Sequence, residues 1–321
     1  MVIRQARTTR LRRAAIAATV LAATAAGCTV GSDGHPPDGG TTKPTTRGAR
    51  GPVVAVKIDN VGPARPQTGI DRADIIYAEQ VESGLSRLMA VYATRLPPVV
   101  GPVRSARETD LELLRQFDRP ALAYSGAQSK LQPLIAEAPL SAFPPGKAPA
   151  SAYFRGSDKP APHNLYLRPA KLGVTPRASA LAAAGVTFGA RPAGGQAKNA
   201  LTVRFPAARF TFDWAAGNGS WQVSMDGARA RTADGKTLNA STVVIQYVDV
   251  RSSRFHDRGG NTSPFSDTVG AGKATVLRDG RAYDVRWERR SAADSTRFTT
   301  ADGGKRMTFA PGQVWVVFAK K

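Results

Sequence analysis

Cysteine is almost absent from this chain of 321 residues, in which Cys28 is the only one. A single cysteine excludes an intramolecular disulfide and a zinc site built from several thiolates. Long apolar runs are absent too, since no segment after residue 27 approaches the roughly 18 apolar residues of a membrane-spanning helix. The folded part must therefore be stabilised by an apolar core, without covalent cross-links.

Acidic residues are also few, with 24 Asp and Glu against 45 Lys and Arg, which gives a formal net charge of +21. Such a surplus favours anionic partners. No nucleic-acid-binding motif or basic and aromatic stripe is visible, so we expect no nucleic acid partner. The alternative, that the arginines only keep the chain soluble, stays open.

The first 27 residues have the pattern of an export signal. Five arginines without an acidic residue precede a short apolar stretch, Ala14–Ala26, which ends in Ala-Ala-Gly-Cys28. This ending resembles a lipobox, so we predict a lipoprotein signal peptide over 1–27 and a lipid on Cys28. The protein would then be held by that lipid on the extracytoplasmic face of the cell membrane, with a net charge of +16 after those five arginines are removed from +21. Ordinary secretion with a free thiol is the alternative.

The mature chain divides by composition into a tether and two domains. Residues 28–51 are rich in Gly, Pro and Thr and predict a flexible tether with an r.m.s. reach of about 25 Å. About 290 residues remain after cleavage, enough for two ordinary domains. We predict an α+β protein, with a mixed α/β N-terminal domain over 52–193 and a mainly β C-terminal domain over 194–321.

Local patterns place the main elements of both domains. Apolar runs predict strands over 53–58, 75–81, 87–92 and 121–124, whereas helical spacing predicts helices over 108–117, 127–137 and 175–185. In the second half, strands are predicted at 201–205, 209–212, 221–223, 243–248, 282–287 and 314–318.

The segment 101–110 is the main candidate site, because Arg104 and Arg107 flank the predicted start of a helix. Basic residues are unfavourable there unless an anion offsets them, and free backbone N–H groups add to such a site. Alternatively, the two arginines form internal ion pairs. Arg65 and Arg87 would join either arrangement, and the acidic partners available are Asp59, Asp74, Glu79 and Glu82.

His163 and Asn164 form the second candidate, since an imidazole and an amide side by side offer hydrogen bonds and a general base. A histidine that only fixes a loop is the commoner outcome. His256 and Asp257 are interpreted as solvated turn residues. We expect neither a metal site nor a cofactor.

Several of these motifs together resemble the YerB-like lipoprotein family, a two-domain family of unknown function. The matching motifs are Lys57-Ile58-Asp59-Asn60, Ala64-Arg65-Pro66-Gln67-Thr68-Gly69, Glu82-Ser83-Gly84-Leu85-Ser86-Arg87, Gly101–Arg107, His163-Asn164-Leu165-Tyr166 and Pro311-Gly312-Gln313-Val314-Trp315. The resemblance spans nearly all of 52–319 and implies a two-domain α+β lipoprotein without an established reaction.

Three functional hypotheses follow. The first is a non-enzymatic lipoprotein that binds an anionic wall polymer, a polyprenyl phosphate or an envelope protein through the arginines. The second is a metal-assisted transferase or hydrolase on phosphate-linked envelope polymers, because the order of Arg65, Asp74 and 102–107 is similar to that in the LytR-CpsA-Psr ligases. The third is a scaffold, which predicts an exposed apolar patch on 200–319.

Overall fold

Short runs of β-branched and aromatic residues between Gly, Asp and Asn turns make strands the main elements of this chain. The computed structural model describes residues 51–257, 259–302 and 304–321. The predicted signal peptide, Cys28 and all of the predicted tether except Gly51 therefore lie outside the described residues.

The first half of the described chain holds seven strands and two short α-helices. The strands are β1 Val54–Asp59, β2 Ile75–Gln80, β3 Ser86–Tyr92, β4 Ala121–Ala123, β5 Ser141–Phe143, β6 Tyr153–Arg155 and β7 Leu165–Leu167. The helices are α1 Glu108–Leu114 and α2 Gln132–Glu137.

The described second half consists of strands and one 3₁₀ turn at 216–218. These strands are β8 Gln196–Ala197, β9 Ala200–Phe205, β10 Ala208–Ala215, β11 Ser220–Met225, β12 Ala228–Arg229, β13 Asn239–Ala240, β14 Thr242–Val248, β15 Val250–His256, β16 Thr262–Ser266, β17 Gly270–Arg278, β18 Arg281–Arg289, β19 Arg297–Thr300 and β20 Val314–Lys320. The protein is thus strongly β-rich.

One large sheet contains strands from both halves, in the order β19-β18-β17-β14-β20-β2-β3-β1-β4-β5, with β8 paired to β18. Strand β20 pairs in parallel with β14 on one side and with β2 on the other. The last strand of the chain therefore joins the two halves through backbone hydrogen bonds. A second sheet, β12-β11-β10-β9 with β13 on β11, belongs to the second half alone.

The two faces of the large sheet carry separate apolar cores. Val53 and Ala55 face α1 and α2, whereas Val54 and Val56 face the second sheet. Because both faces are covered, β1 and β3 are buried at every position. Outer strands such as β9 alternate instead between exposed and buried residues, as a half-solvated strand requires.

The helix predicted at 175–185 is present, but it is shorter and of the 3₁₀ type. Residues Ala178–Ala184 form a 3₁₀ helix whose N-cap is Arg177, and the chain leaves it through Gly185 with φ of 79°. The helix thus ends where the sequence predicts, because glycine tolerates the left-handed conformation that ends it. Alanine's propensity did not decide the helix type, because packing of Ala180, Ala183 and Ala184 into the core overrides it.

Candidate functional site

The ends of β1, β2 and β3 place charged side chains in one row. Arg87 on β3 lies directly opposite Asp59 on β1 and opposite Glu79 on β2. Residues opposite each other in an antiparallel pair point to the same face of a sheet. The row therefore lies on the face that carries α1, where the apolar core ends.

The segment before α1 crosses this row and closes one wall of a cleft. The backbone N–H of Arg104 donates to the carbonyl of Lys57 at 2.8 Å, which fixes the crossing point. The cleft has a volume of about 740 Å³. Its charged lining residues are Asp59, Glu82, Arg87, Arg104, Arg107 and Asp257. His256, Asp257 and Gly259 of the lining come from the second half, so both halves of the chain build the cleft.

Arg107 is neutralised within the protein. Its Nε and Nη2 donate to the two carboxylate oxygens of Glu82 at 2.6 and 2.7 Å, a bidentate arrangement. Ser263 Oγ also donates to Glu82. Burial alone would raise the pKa of Glu82, but the hydrogen bonds and charge of Arg107 outweigh it and lower the pKa. For Arg107, the internal ion pair is therefore what the structure contains.

Arg104 is only loosely paired. Its Nε lies 3.1 Å from Asp59 Oδ2, but the N–H direction makes no aligned hydrogen bond. The same carboxylate oxygen lies 2.9 Å from Nδ1 of His163. The Arg104 side chain keeps 30% of its surface exposed, so a ligand from solvent can reach it.

Arg87 is a buried cation with an incomplete set of partners. Its Nη1 donates to the carbonyl of Ser105 at 3.2 Å, whereas its buried Nε has no hydrogen-bond partner among the described residues. Burial, and then the nearby charge of Arg107, lower the pKa of Arg87 to about 10. A buried donor without an acceptor costs free energy, so an acceptor atom at this position would stabilise the protein. Oε1 of Gln128, another lining residue, is likewise without one.

A second charged cluster lies behind the cleft, fully inside the protein. Lys57 donates to Glu79 and, at 2.6 Å, to Oδ1 of Asp110. Burial, with a further contribution from the charge of Asp110, raises the pKa of Glu79 to about 7 despite the opposing charge of Lys57. Glu79 is thus a core residue and does not line the cleft.

The start of α1 is satisfied from within. Oδ2 of Asp110 accepts the backbone N–H of Arg107 at 2.7 Å, and Glu108 adds a second carboxylate to the first turn. The predicted free helix N-terminus is therefore wrong, because acidic side chains already offset the helix dipole. Any anion in this cleft would be bound by guanidinium groups.

Five predicted site residues lie outside the cleft lining, namely Arg65, Asp74, Glu79, His163 and Asn164. Arg65 donates to Oδ2 of Asp226 at 2.8 Å and links the two halves. Asn164 Oδ1 accepts from Arg155, and its Nδ2 donates to the carbonyl of Gly156. Asn164 therefore holds the β6–β7 hairpin.

Asp74 lies at the opposite end of β2 from Glu79 and binds the backbone there. Its Oδ2 accepts the backbone N–H groups of Ala93 and Thr94 at 2.6 and 2.9 Å. It thus satisfies donors where β3 ends and takes no part in the cleft.

The end of β15 and the loop after it form part of the cleft. His256 is exposed and Asp257 is partly buried, as solvated residues would be, and both line the cleft, which their Gly- and Ser-rich surroundings did not predict. The hairpin lies against α1, because Ser253 Oγ donates to Oε2 of Glu108 at 2.5 Å. No local signal predicts this contact, which spans 145 residues of sequence.

This architecture defines a two-region, β-rich class of protein, and family models match both regions. The model described as "Protein of unknown function (DUF3048) N-terminal domain" matches residues 39–182, and the corresponding C-terminal domain model matches residues 201–316. The chain belongs to the DUF3048 family.

Within that class, the relatives found carry the name YerB. A Bacillus subtilis (strain 168) protein named "Putative lipoprotein YerB" is 34% identical over 116 residues, which are 35% of this chain and 34% of that protein. The match thus spans about a third of that relative's length. The crystal structure of the Bacillus subtilis YerB protein has a TM-score of 0.68 at 20% identity and covers 84% of this chain and 91% of that chain. The resemblance inferred from the motifs is confirmed, and the structural likeness shows the fold.

Proposed function

We propose that this protein is a lipid-anchored lipoprotein on the extracytoplasmic face of the membrane that binds an anionic ligand in the arginine cleft. The lipid anchor rests on the lipobox-like sequence before Cys28 and on the lipoprotein name of the Bacillus relative. Within the part of the chain that the structure describes, no helix is both long and apolar enough to cross a membrane. A Cys28→Ala variant is expected to move from the membrane fraction to the soluble fraction.

The observation that carries the ligand proposal is the state of Arg87 and Arg104. Both guanidinium groups line one cleft, both have a buried Nε without an aligned hydrogen bond, and Arg104 is partly exposed. A phosphate or carboxylate oxygen would supply the missing acceptor and would strengthen the interaction through charge. Arg107 lines the cleft, but its guanidinium group is paired with Glu82.

Titration of the purified full chain with inorganic pyrophosphate, followed by calorimetry, tests this proposal. We expect binding that weakens with salt, and an Arg104→Gln variant that binds about tenfold more weakly, as loss of one charged hydrogen bond predicts. Arg65→Gln is the matched control, because Arg65 pairs with Asp226 away from the cleft. Equal affinities for the wild type and Arg104→Gln would contradict the proposal.

Neither alternative function gains support from a specific observation. The transferase hypothesis needs Asp59, Asp74 or Glu79 around a metal beside the arginines. Asp59 lies in the cleft near Arg104, but Asp74 lies at the other end of β2 and Glu79 is bonded to Lys57. The scaffold hypothesis needs an exposed apolar patch on 200–319. Among the described residues, the exposed large hydrophobic side chains are Leu85 and Phe188, both outside that range.

A further inference from the structure

A basic groove adjoins the arginine cleft and continues it along the surface. Gln80 lines the groove and the next residue, Val81, lines the cleft. Residues of the β15–β16 hairpin line both depressions, and Ser263 of the groove donates to Glu82 of the cleft. The groove has a volume of about 490 Å³.

The groove is lined by cations without an acidic residue. Arg204, Arg251 and Lys320 line it, and its remaining lining side chains are uncharged. Arg251 is the one with a described ion pair, to Asp267 at 3.1 Å, and its guanidinium lies 4.1 Å from the ring centroid of Phe265. The groove therefore has an excess of positive charge, in contrast to the cleft, where carboxylates accompany the arginines.

A third depression shares Arg204 with the groove and lies on the outer face of the second sheet. It has a volume of about 460 Å³ and adds Arg209, Arg229 and one carboxylate, Asp213. Arg229 pairs with Asp213 at 3.1 Å, so Arg204 and Arg209 carry the excess positive charge here. Arg204 and Arg209 lie directly opposite each other on β9 and β10. Like charges at such positions destabilise a sheet, and an anion lying between them offsets the repulsion.

Hydroxyl groups accompany these cations. Thr202 and Thr211, also opposite each other on β9 and β10, share a hydrogen bond of 2.9 Å between their Oγ1 atoms. Phe205, the aromatic residue that lines the groove, is only 7% exposed. Non-specific binding of single-stranded nucleic acid depends on stacking of bases on exposed aromatic rings. The surface thus suits an anionic chain without bases.

We propose that the cleft, the groove and the outer sheet face form one continuous track for a linear, phosphate-bearing polymer. This inference rests on the proposed function, since the cleft would bind one anionic unit of the polymer. The units that follow would contact Arg204, Arg251 and Lys320 and then Arg209. Several weak contacts along one chain add in affinity because each bound unit raises the local concentration of the next.

Polyphosphates of increasing length, added to the purified full chain, test the track. Affinity is expressed per phosphate unit, because a long chain can bind at many positions along its length and would otherwise show a higher affinity without any additional contact. We expect long-chain polyphosphate to bind more tightly than pyrophosphate. In an Arg204→Ala/Arg209→Ala variant, we expect a loss of about tenfold for the long chain, as two surface ion pairs predict, and unchanged affinity for pyrophosphate.

Arg286→Ala/Arg297→Ala is the matched control, since both arginines are exposed and line none of the three depressions. Equal affinity per phosphate for short and long chains would overturn the track, as would a length-dependent gain that survives the Arg204/Arg209 change. The cleft proposal would stand in both cases, because it depends on pyrophosphate and Arg104. Binding of anionic lipid vesicles through Arg204 and Arg209 without any gain for polyphosphate would also overturn the track and identify a membrane surface instead.

Discussion

Two carboxylates on either side of the end of β2 have pKa values shifted in opposite directions, one in the cleft and one in the buried cluster. Glu82 lies at the cleft, bound by both arms of Arg107, and its pKa is lowered. Glu79, three residues earlier, lies in the interior and is bonded to Lys57, which also donates to Asp110, and the pKa of Glu79 is raised to about 7. In the cleft, charge-assisted hydrogen bonds outweigh burial, whereas in the interior burial and a second carboxylate outweigh the lysine.

The comparison also separates structural charge from available charge. Lys57 and Arg107 are each bonded to carboxylates, so they stabilise the fold. Arg104 and Arg87 keep unaligned or unpartnered N–H groups at the cleft. A function that depends on anion binding should follow the second pair of residues, and stability should follow the first.

The largest expected effect is that of Lys57→Met. This change leaves Glu79 and Asp110 close together without their cation, and breaking a buried ion pair in this way costs about 3 to 5 kcal/mol. The free energy of unfolding in urea measures the loss. The double variant Lys57→Met/Glu79→Gln should recover part of it, because it removes one of the two stranded charges. A loss below about 1 kcal/mol for the single variant would contradict a structural role.

Arg107→Ala should cost less, about 2 to 3 kcal/mol, because the stranded carboxylate of Glu82 keeps its hydrogen bond from Ser263 and lies near solvent. Arg104→Ala is the matched comparison and should cost under about 1 kcal/mol, since its contact with Asp59 is unaligned and partly exposed. Urea denaturation of both variants decides the point. Equal losses of unfolding free energy in the two variants would contradict the distinction between Arg107, which is paired within the protein, and Arg104, which is available to a ligand.

A smaller effect than that of Arg107→Ala concerns pH. Between pH 4.5 and about 7, folded Glu79 holds its proton while an unfolded glutamate has released it. The folded state then binds more protons, so this group's contribution to stability falls as pH rises through that interval. Glu82 has the opposite effect. Because the pKa of Glu82 is lowered in the folded state, its contribution to stability is lost as the pH falls below 4.5, the ordinary pKa of a glutamate.

We therefore expect Glu79→Gln to remove about 1 to 2 kcal/mol of the change in unfolding free energy between pH 4.5 and 7. Unfolding in urea at the two pH values, for the wild type and the variant, measures this difference. Glu82→Gln should instead alter the dependence below pH 4.5. A Glu79→Gln variant with the wild-type slope between pH 4.5 and 7 would show that burial does not raise the pKa of Glu79.

Prediction from the sequence succeeded where the information was local. The central strands β1, β2 and β3 were placed to within one or two residues, because continuous apolar runs bounded by turn residues are enough to identify them. Strands β15 to β17 were missed because they are rich in Ser, Arg and Gly. Their pairing and packing partners decide their conformation, as the contact between Ser253 and Glu108 illustrates.

For the candidate site, the sequence indicated Arg87, Arg104 and Arg107 but could not separate them by role. Arg65 has the same residue type and a similar motif context, yet its partner Asp226 lies in the second half of the chain. Asn164 bonds instead to Arg155 of its own hairpin. The prediction that Asp59 and Glu82 are acidic partners of the arginines agrees with the contacts seen, whereas Asp74 binds the backbone at the far end of β2.

By itself, the sequence determined the strand pattern, the surplus of positive charge, the family and the positions of the arginines, because these depend on residue type and short-range order. Only the tertiary structure decided which arginines are neutralised and which cations form a row. The physical reason is that an ion pair depends on distance and burial. The long-range strand pairing, above all that of β20 between β14 and β2, sets both of these.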